Sequence, residues 1–95
     1  MRESRIEAYF VEQANAQGCL VRKAAWVGRK GCPDRVVMFP DGRIVWVELK
    51  ASGLAAGFPS NAHERQQDRE HERMRRRGQQ VEIVDSFERV DEVLA

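Results

Sequence analysis

RVVMFPDGRIVWVEL, the stretch from Arg35 to Leu49, decides the fold. Its two arms, Arg35–Phe39 and Arg43–Leu49, are β-branched and aromatic, the residue types that fit a pleated surface. Between them, Phe39-Pro40-Asp41-Gly42 puts proline and glycine where a tight hairpin turn uses them. The stretch predicts two antiparallel strands. Counting outward from a turn in which Phe39 faces Arg43, five residues back and five forward lead to Asp34 and Glu48, so the hairpin brings these two acids together at its open end.

Upstream of the hairpin, Ser4 opens a segment in which Ile6, Tyr9, Phe10 and Ala14 recur at helical spacing, predicting a first helix that ends near Gly18. Cys19–Trp26 reads as a strand, and VGRKGCP after it as a loop. Downstream, Ala51–Ser60 is a mobile loop of small residues, and Asn61 caps a long helix running to Arg77 that Gly78 stops. Met74 and Ala62 are nearly the only apolar residues of that helix, so its buried stripe has to include polar side chains. The row Gln67, His71, Met74 is the one expected to face inward. Gln79–Val84 alternates as a last strand, and Ser86 caps a short helix with Phe87, Val90, Val93 and Leu94 on one face. The order α-β-β-β-α-β-α predicts an α/β or α+β domain with a mixed central sheet. The hairpin supplies antiparallel pairing, and the crossover through the long helix favours a parallel last strand.

With 95 residues, of which 42% are hydrophobic and 33% charged, the chain has apolar material for one core, and residues 1–95 are expected to form a single domain. No apolar run is long enough to cross a bilayer, and MRESRIEAYF is not a signal sequence, so a cytoplasmic protein without membrane contact is expected. Cys19 and Cys32 are too few and too far apart for a zinc framework, a redox pair or a disulfide scaffold. The net charge of +1 hides an asymmetry: residues 1–80 hold fifteen basic and ten acidic residues, residues 81–95 one and five. The positive part is the candidate surface for an anionic ligand.

Chemistry is expected where Asp34, Glu48 and Lys50 converge. Glu48 and Lys50, two apart on a strand, point to one face, and VWVELK is otherwise so apolar that charges there imply a cleft or ligand. Two neighbouring carboxylates repel unless a cation lies between them, and hard oxygen donors suit Mg²⁺ or Mn²⁺ better than zinc. Such an ion can polarise a water and neutralise charge on a phosphate oxygen, with Lys50 assisting. The structural alternative is an Asp in a turn and a Glu-x-Lys pair on a solvated strand.

Pro33-Asp34, thirteen residues, then Glu48-Leu49-Lys50 resembles the PD-(D/E)xK nuclease signature. The segments ESRIEAYF, GRKGCPDR and QDREHERMRRRGQQVEIVDSFERVDEV extend the likeness over nearly the whole chain, which is similar to the VRR-NUC (virus-type replication-repair nuclease) domain. The resemblance implies a restriction-endonuclease-like α-β-β-β-α-β core with a short C-terminal helix. It implies Asp34 and Glu48 as metal-binding acids, the Leu49 carbonyl as a further ligand and Lys50 as the catalytic lysine. Glu7 matches the family's additional acid, with Glu3 as the fallback; Ser4-Arg5-Ile6-Glu7 is also a capping-box pattern, the rival reading, in which Glu7 would bond to the Ser4 amide. Gln67 matches the family's helix glutamine, Gln66 being the neighbour it could be confused with, and NAHERQ departs from the leucine-containing segment that often precedes it. His63 and His71, eight apart, read as packed or solvated histidines. Much of the Arg65–Arg77 run reads as i, i+4 salt-bridged surface. Phosphate contact is assigned instead to Arg22, Lys23, Arg29 and Lys30.

The activity implied is a metal-dependent, structure-selective DNA endonuclease. Standalone relatives are phage- or prophage-encoded homodimers acting in a bacterial host and resembling Holliday-junction resolvases, so branched DNA and a second copy of the chain are the expected partners. A non-catalytic DNA-binding or assembly module retaining the fold, and a nuclease acting on flaps, nicked duplex or RNA, are the alternatives.

Overall fold

The computed structural model describes all residues, Met1 to Ala95. In chain order the elements are α1 (Glu3–Ala16), β1 (Leu20–Lys23), β2 (Arg35–Met38), β3 (Ile44–Leu49), α2 (Ala62–Arg75), β4 (Gln80–Val84) and α3 (Phe87–Leu94). The four strands form one sheet in the order β1-β2-β3-β4, antiparallel except for the parallel pair β3–β4. A two-residue step along a strand returns to the same face, so β3 splits its side chains between two layers. Val45, Val47 and Leu49 face α1 and α3, while Trp46 and Glu48 face α2.

The first layer is the hydrophobic core. Ile6, Phe10 and Ala14, four apart along α1, are fully buried against Val21, Val37, Val45, Val47, Leu49 and Val84, with Val90, Val93 and Leu94 of α3 closing the layer. Burying a side chain the size of Phe10 or Ile6 contributes on the order of 2–3 kcal/mol. Tyr9 lies on the margin. It stacks on Phe87 with ring centroids 4.0 Å apart and donates to Asp91 at 2.8 Å, joining α1 to α3.

The hairpin has the register that the count from the turn predicts. The Phe39 amide donates to the Arg43 carbonyl at 2.8 Å, Met38 pairs with Ile44 and Arg35 with Val47, which sets Asp34 opposite Glu48. Gly42, at φ +93°, takes the left-handed position that lets a three-residue loop close on the strand twist. The capping residues also behave as expected: the Asn61 side chain accepts from the Glu64 amide and the Ser86 hydroxyl from the Arg89 amide, and Gly78 ends the helical run at φ +85°.

Three local expectations need correction. β1 covers only Leu20–Lys23, because after the Ala24 amide donates to the Asp34 carbonyl the chain leaves the ladder for the loop. The capping box at Ser4 does not form. The helix starts two residues earlier, with Arg2 rather than Ser4 as an N-cap that makes no side-chain bond, and Glu7 pairs with Arg35 instead. Finally, the ion pairs of α2 are spaced i, i+3 (Glu70–Arg73 and Glu72–Arg75) rather than i, i+4.

Candidate functional site

At the open end of the hairpin the two acids meet. Asp34 lies one residue before β2 and is fixed by the Leu49 amide, which donates to its Oδ2 at 2.8 Å. Glu48, on the face opposite its core neighbours Val47 and Leu49, is only 2% exposed. Burial, and after it the carboxylate of Asp34 alongside, push the Glu48 carboxyl up to about 9. Gln67 donates to its Oε2 at 3.3 Å, whereas Oε1 is buried without a hydrogen-bond partner.

His71 lies behind Glu48, fully buried, with Nε2 3.4 Å from Glu48 Oε1 but not aligned to donate to it. Burial first, and then the charge of Arg75, hold the imidazole down at about 4, so near neutral pH no ion pair forms here. A buried carboxyl raised by a second carboxylate beside it is what a cation would relieve, and the Asp34–Glu48 donor set is hard oxygen throughout. The protein does not supply a complete cage of its own. No three His, Cys, Asp or Glu side chains converge as metal ligands.

Lys50 follows β3, its amide bonded to the Val84 carbonyl, so its side chain emerges at the end of the parallel pair beside Glu48. Its Nζ donates to Gln67 Oε1 at 3.2 Å and lies 3.0 Å from Glu64 Oε2, with the Phe58 ring 5.3 Å away. Gln67 thus bridges the two residues, donating to Glu48 and accepting from Lys50. The row expected to face inward does so: Gln67, His71 and Met74 are buried, joined by Glu70, while Gln66 and His63 are exposed.

Two neighbours of Lys50 were not singled out from the sequence. Glu64 accepts from the Ser60 amide at 2.8 Å and hydroxyl at 2.7 Å, and these bonds together with Lys50 hold its carboxyl down at about 2. The pattern Asn61-x-x-Glu64 is a capping signature that could have marked it. Phe58 stacks on His71 with centroids 5.8 Å apart, giving the 51–60 loop an anchor. The loop is further tied by Ser52 to the Met1 carbonyl and by Ala55 to the Asp85 carboxylate, both at 3.0 Å.

The remaining candidates divide between two sides of the site. Glu3, Glu7, Lys23 and Asp34 line one pocket of about 400 Å³. Within it Glu7 is engaged by Arg35 at 2.8 Å, while the Glu3 carboxyl is raised, chiefly by partial burial and then by Asp34. Arg29 and Lys30 sit across the site in the β1–β2 loop, where Arg29 pairs with Glu70 at 3.3 Å. Arg22 is exposed on the edge strand β1 and donates to the Val21 carbonyl. The four cations assigned to phosphate therefore flank the acids rather than forming one patch. Both cysteines are free thiols, and burial beside Glu48 and Asp34 pushes Cys32 up to about 11.

No family model matches the chain. In sequence it is similar to "Putative nuclease p44" of Acyrthosiphon pisum secondary endosymbiont phage 1, with 37% identity over 86 residues, 90% of this chain and 85% of the relative. In structure it is similar to a solved chain described as a VRR_NUC domain, with TM-score 0.79 and 39% identity, over 97% of this chain and 92% of that one.

Proposed function

The chain belongs to the VRR-NUC family, and on that footing we propose that it is a metal-dependent endonuclease of the PD-(D/E)xK type that hydrolyses DNA phosphodiesters. The observation that carries the reading is the buried Glu48 carboxyl beside the half-buried Asp34, with Glu48 linked through Gln67 to Lys50. Asp34, Glu48 and the Leu49 carbonyl would hold Mg²⁺ or Mn²⁺, with a further carboxylate from α1, either Glu7 or Glu3. When bound, such an ion lowers the pKa of a coordinated water and neutralises charge on a phosphate oxygen.

The protein's own groups do the positioning. The Leu49 amide fixes the Asp34 carboxylate at the strand end. Gln67 sets the distance between Glu48 and Lys50, and Glu64 keeps the lysine side chain from swinging into solvent. Lys50 then presents its ammonium to the attacking water or to the negative charge that builds up on phosphorus. Lys23 on one side, and Arg29 and Lys30 on the other, hold the backbone of the DNA by charge, with Arg22 contributing from the edge strand.

We extend the proposal to structure-selective cleavage of branched DNA by a homodimer, because a two-fold pair of sites matches the two-fold symmetry of a four-way junction. A radius of gyration of 12.8 Å also leaves one copy too small to surround such a substrate. The phage origin of the relative supports a phage- or prophage-encoded protein acting in the cytoplasm of a bacterial host. No helix is long and apolar enough to cross a membrane.

The test is cleavage of labelled four-way junction, flap, single-stranded and linear duplex DNA in Mg²⁺, Mn²⁺ or EDTA, comparing wild type with Lys50→Ala and Asp34→Ala. Symmetric, metal-dependent cuts in the junction, lost in both variants, are expected, together with a dimer by light scattering. Cuts confined to flaps or other DNA would keep the nuclease and remove the junction. One observation favours a second reading, a DNA-binding module without catalysis: only two carboxylates converge, and Glu7 is occupied by Arg35. Tight junction binding with no cutting of any substrate would establish it.

A further inference from the structure

The loop between β1 and β2 lies against α2, and the contact is too close for a side chain. A Cβ on Gly31, which has φ +96°, would stand 2.9 Å from the Glu70 Cβ. This seats Arg29 beside the helix, where Glu70, 8% exposed, holds two guanidinium groups on the same oxygen: Arg29 at 3.3 Å and Arg73 at 3.2 Å. Arg77 stands one turn further on, with Nη1 donating to the Arg73 carbonyl at 2.9 Å. Two open depressions of about 580 and 350 Å³ share Arg29 and form one groove, from Lys30 and Gln66 at one end to Arg73 and Arg77 at the other.

The charge balance of this groove differs from that of ordinary helix surface. Elsewhere Arg75 pairs with Glu72 and Lys50 with Glu64, one cation to one carboxylate. In the groove a single carboxylate faces Arg29 and Arg73, and no carboxylate is in ion-pair reach of Lys30 or Arg77, so four cations meet one anion. The guanidinium groups are also available. The side chains of Arg29 and Arg73 are 56% and 50% exposed, and each has five donors of which Glu70 takes few. Glu70 therefore serves to hold two phosphate-binding forks side by side, at little cost in ordering when a ligand arrives.

We infer that the groove between the β1–β2 loop and α2 binds the sugar-phosphate backbone of DNA, with Arg73 and Arg77 as direct phosphate contacts that continue the path set by Arg29 and Lys30. The inference rests on the DNA reading above. Gln66 adjoins Gln67, and Arg73 stands seven positions, about 10 Å, further along α2, so the groove leads a strand along the helix away from the Gln67 end. Contacts of this kind position DNA in the same way whatever its sequence.

The experiment measures anisotropy of labelled duplex and four-way junction against salt in EDTA, using full-length wild type, Arg73→Gln, Arg77→Gln and Arg76→Gln. The last removes the same charge from an exposed residue outside the groove. Each lost phosphate contact should lower the slope of log K against log salt by about 0.9 on duplex. We expect that reduction, with several-fold weaker binding, for Arg73→Gln and Arg77→Gln, and a wild-type slope for Arg76→Gln. Circular dichroism verifies that each variant is folded. Unchanged slopes in both groove variants, or equal reductions in all three, would overturn the groove and leave the nuclease reading intact. Wild type that cuts DNA in Mg²⁺ but does not bind it in EDTA would also overturn the groove. Wild type that neither binds nor cuts DNA would overturn both.

Discussion

Replacing Glu48 by Gln should stabilise the metal-free protein, and by an amount that grows with pH. The Glu48 carboxyl is raised from 4.5 to about 9, first by burial and then by Asp34. Because the folded-state value lies above the unfolded one, the native protein keeps a proton that the unfolded chain has released throughout that interval, and stability falls as pH rises across it. Each pH unit in the interval costs about 1.4 kcal/mol, so at pH 8, about 3.5 pH units above the ordinary value, the ceiling is about 5 kcal/mol. At pH 5 it is below about 1 kcal/mol. Gln has the same shape, keeps an oxygen to accept from Gln67, and can offer its amide to the unpartnered Nε2 of His71. Urea unfolding of wild type and Glu48→Gln in EDTA should therefore give a difference in stability that rises by about 1.4 kcal/mol per pH unit between pH 6 and pH 8. A difference that is flat with pH, or a variant less stable than wild type at pH 8, would refute the claim that Glu48 is a desolvated carboxyl held against Asp34.

The same carboxyl links metal binding to protons: Mn²⁺ or Mg²⁺ added near pH 7.5 should raise the melting temperature of wild type and release about one proton per ion, read by calorimetry in two buffers of different ionisation heat. Glu48→Gln should show neither response. His71 works in the opposite direction on the acid side. Its folded value of about 4 lies below the ordinary 6.5, so the unfolded chain binds more protons in that window and stability falls as pH drops through it, by up to about 3 kcal/mol. The loss should be visible in the Glu48→Gln background and absent when His71→Gln is added. On α1, Glu3→Gln should weaken Mn²⁺ binding more than Glu7→Gln, since Arg35 already engages Glu7; the reverse order would return the third acid to Glu7. Gly31→Ala should cost about 1–3 kcal/mol in urea unfolding, from the left-handed backbone and the contact with Glu70.

The parts of the fold that could be read in the sequence are those where a local rule and the tertiary structure agree. The Pro40-Asp41-Gly42 turn sets its own register, and once Phe39 faces Arg43 the position of Asp34 opposite Glu48 follows by counting. Asn61, Gly78 and Ser86 mark helix ends because their side chains, or the lack of one, satisfy backbone groups within a single turn. The capping box at Ser4 failed for a reason that no local rule contains. Arg35, 28 residues away in sequence, offers Glu7 a charged partner at 2.8 Å, and that ion pair displaced the bond to a neighbouring amide. The end of β1 is illegible for a similar reason, since Ala24–Trp26 has strand-like composition but no continuing partner beyond Asp34.

The site was legible where an apolar run made a charge anomalous, and illegible where charge was the background. Glu48 and Lys50 stand out in VWVELK because burying them there requires compensation, and the structure compensates with Gln67 for both and Glu64 for Lys50. In α2 nearly every residue is polar, so composition cannot separate Glu64 from Glu72 or Arg73 from Arg76. Only the helical row containing Met74 distinguishes them, and it correctly selects Gln67 and His71. What the row cannot provide is the partner on the other element: Lys50 for Glu64, and for Glu70 the loop that only Gly31 allows to approach. Both partners come from chain segments joined by the sheet, one at the end of β3 and one before β2. The charges of α2 thereby divide into the groups that hold Lys50 and those that line the groove, and a substitution such as Glu70→Gln tests this division. It should leave the Lys50–Glu64 and Lys50–Gln67 contacts in place while releasing Arg29 and Arg73 from each other. DNA affinity should then fall despite the removal of a negative charge from a binding groove; affinity that instead rises would mean that Glu70 only opposes phosphate and organises nothing.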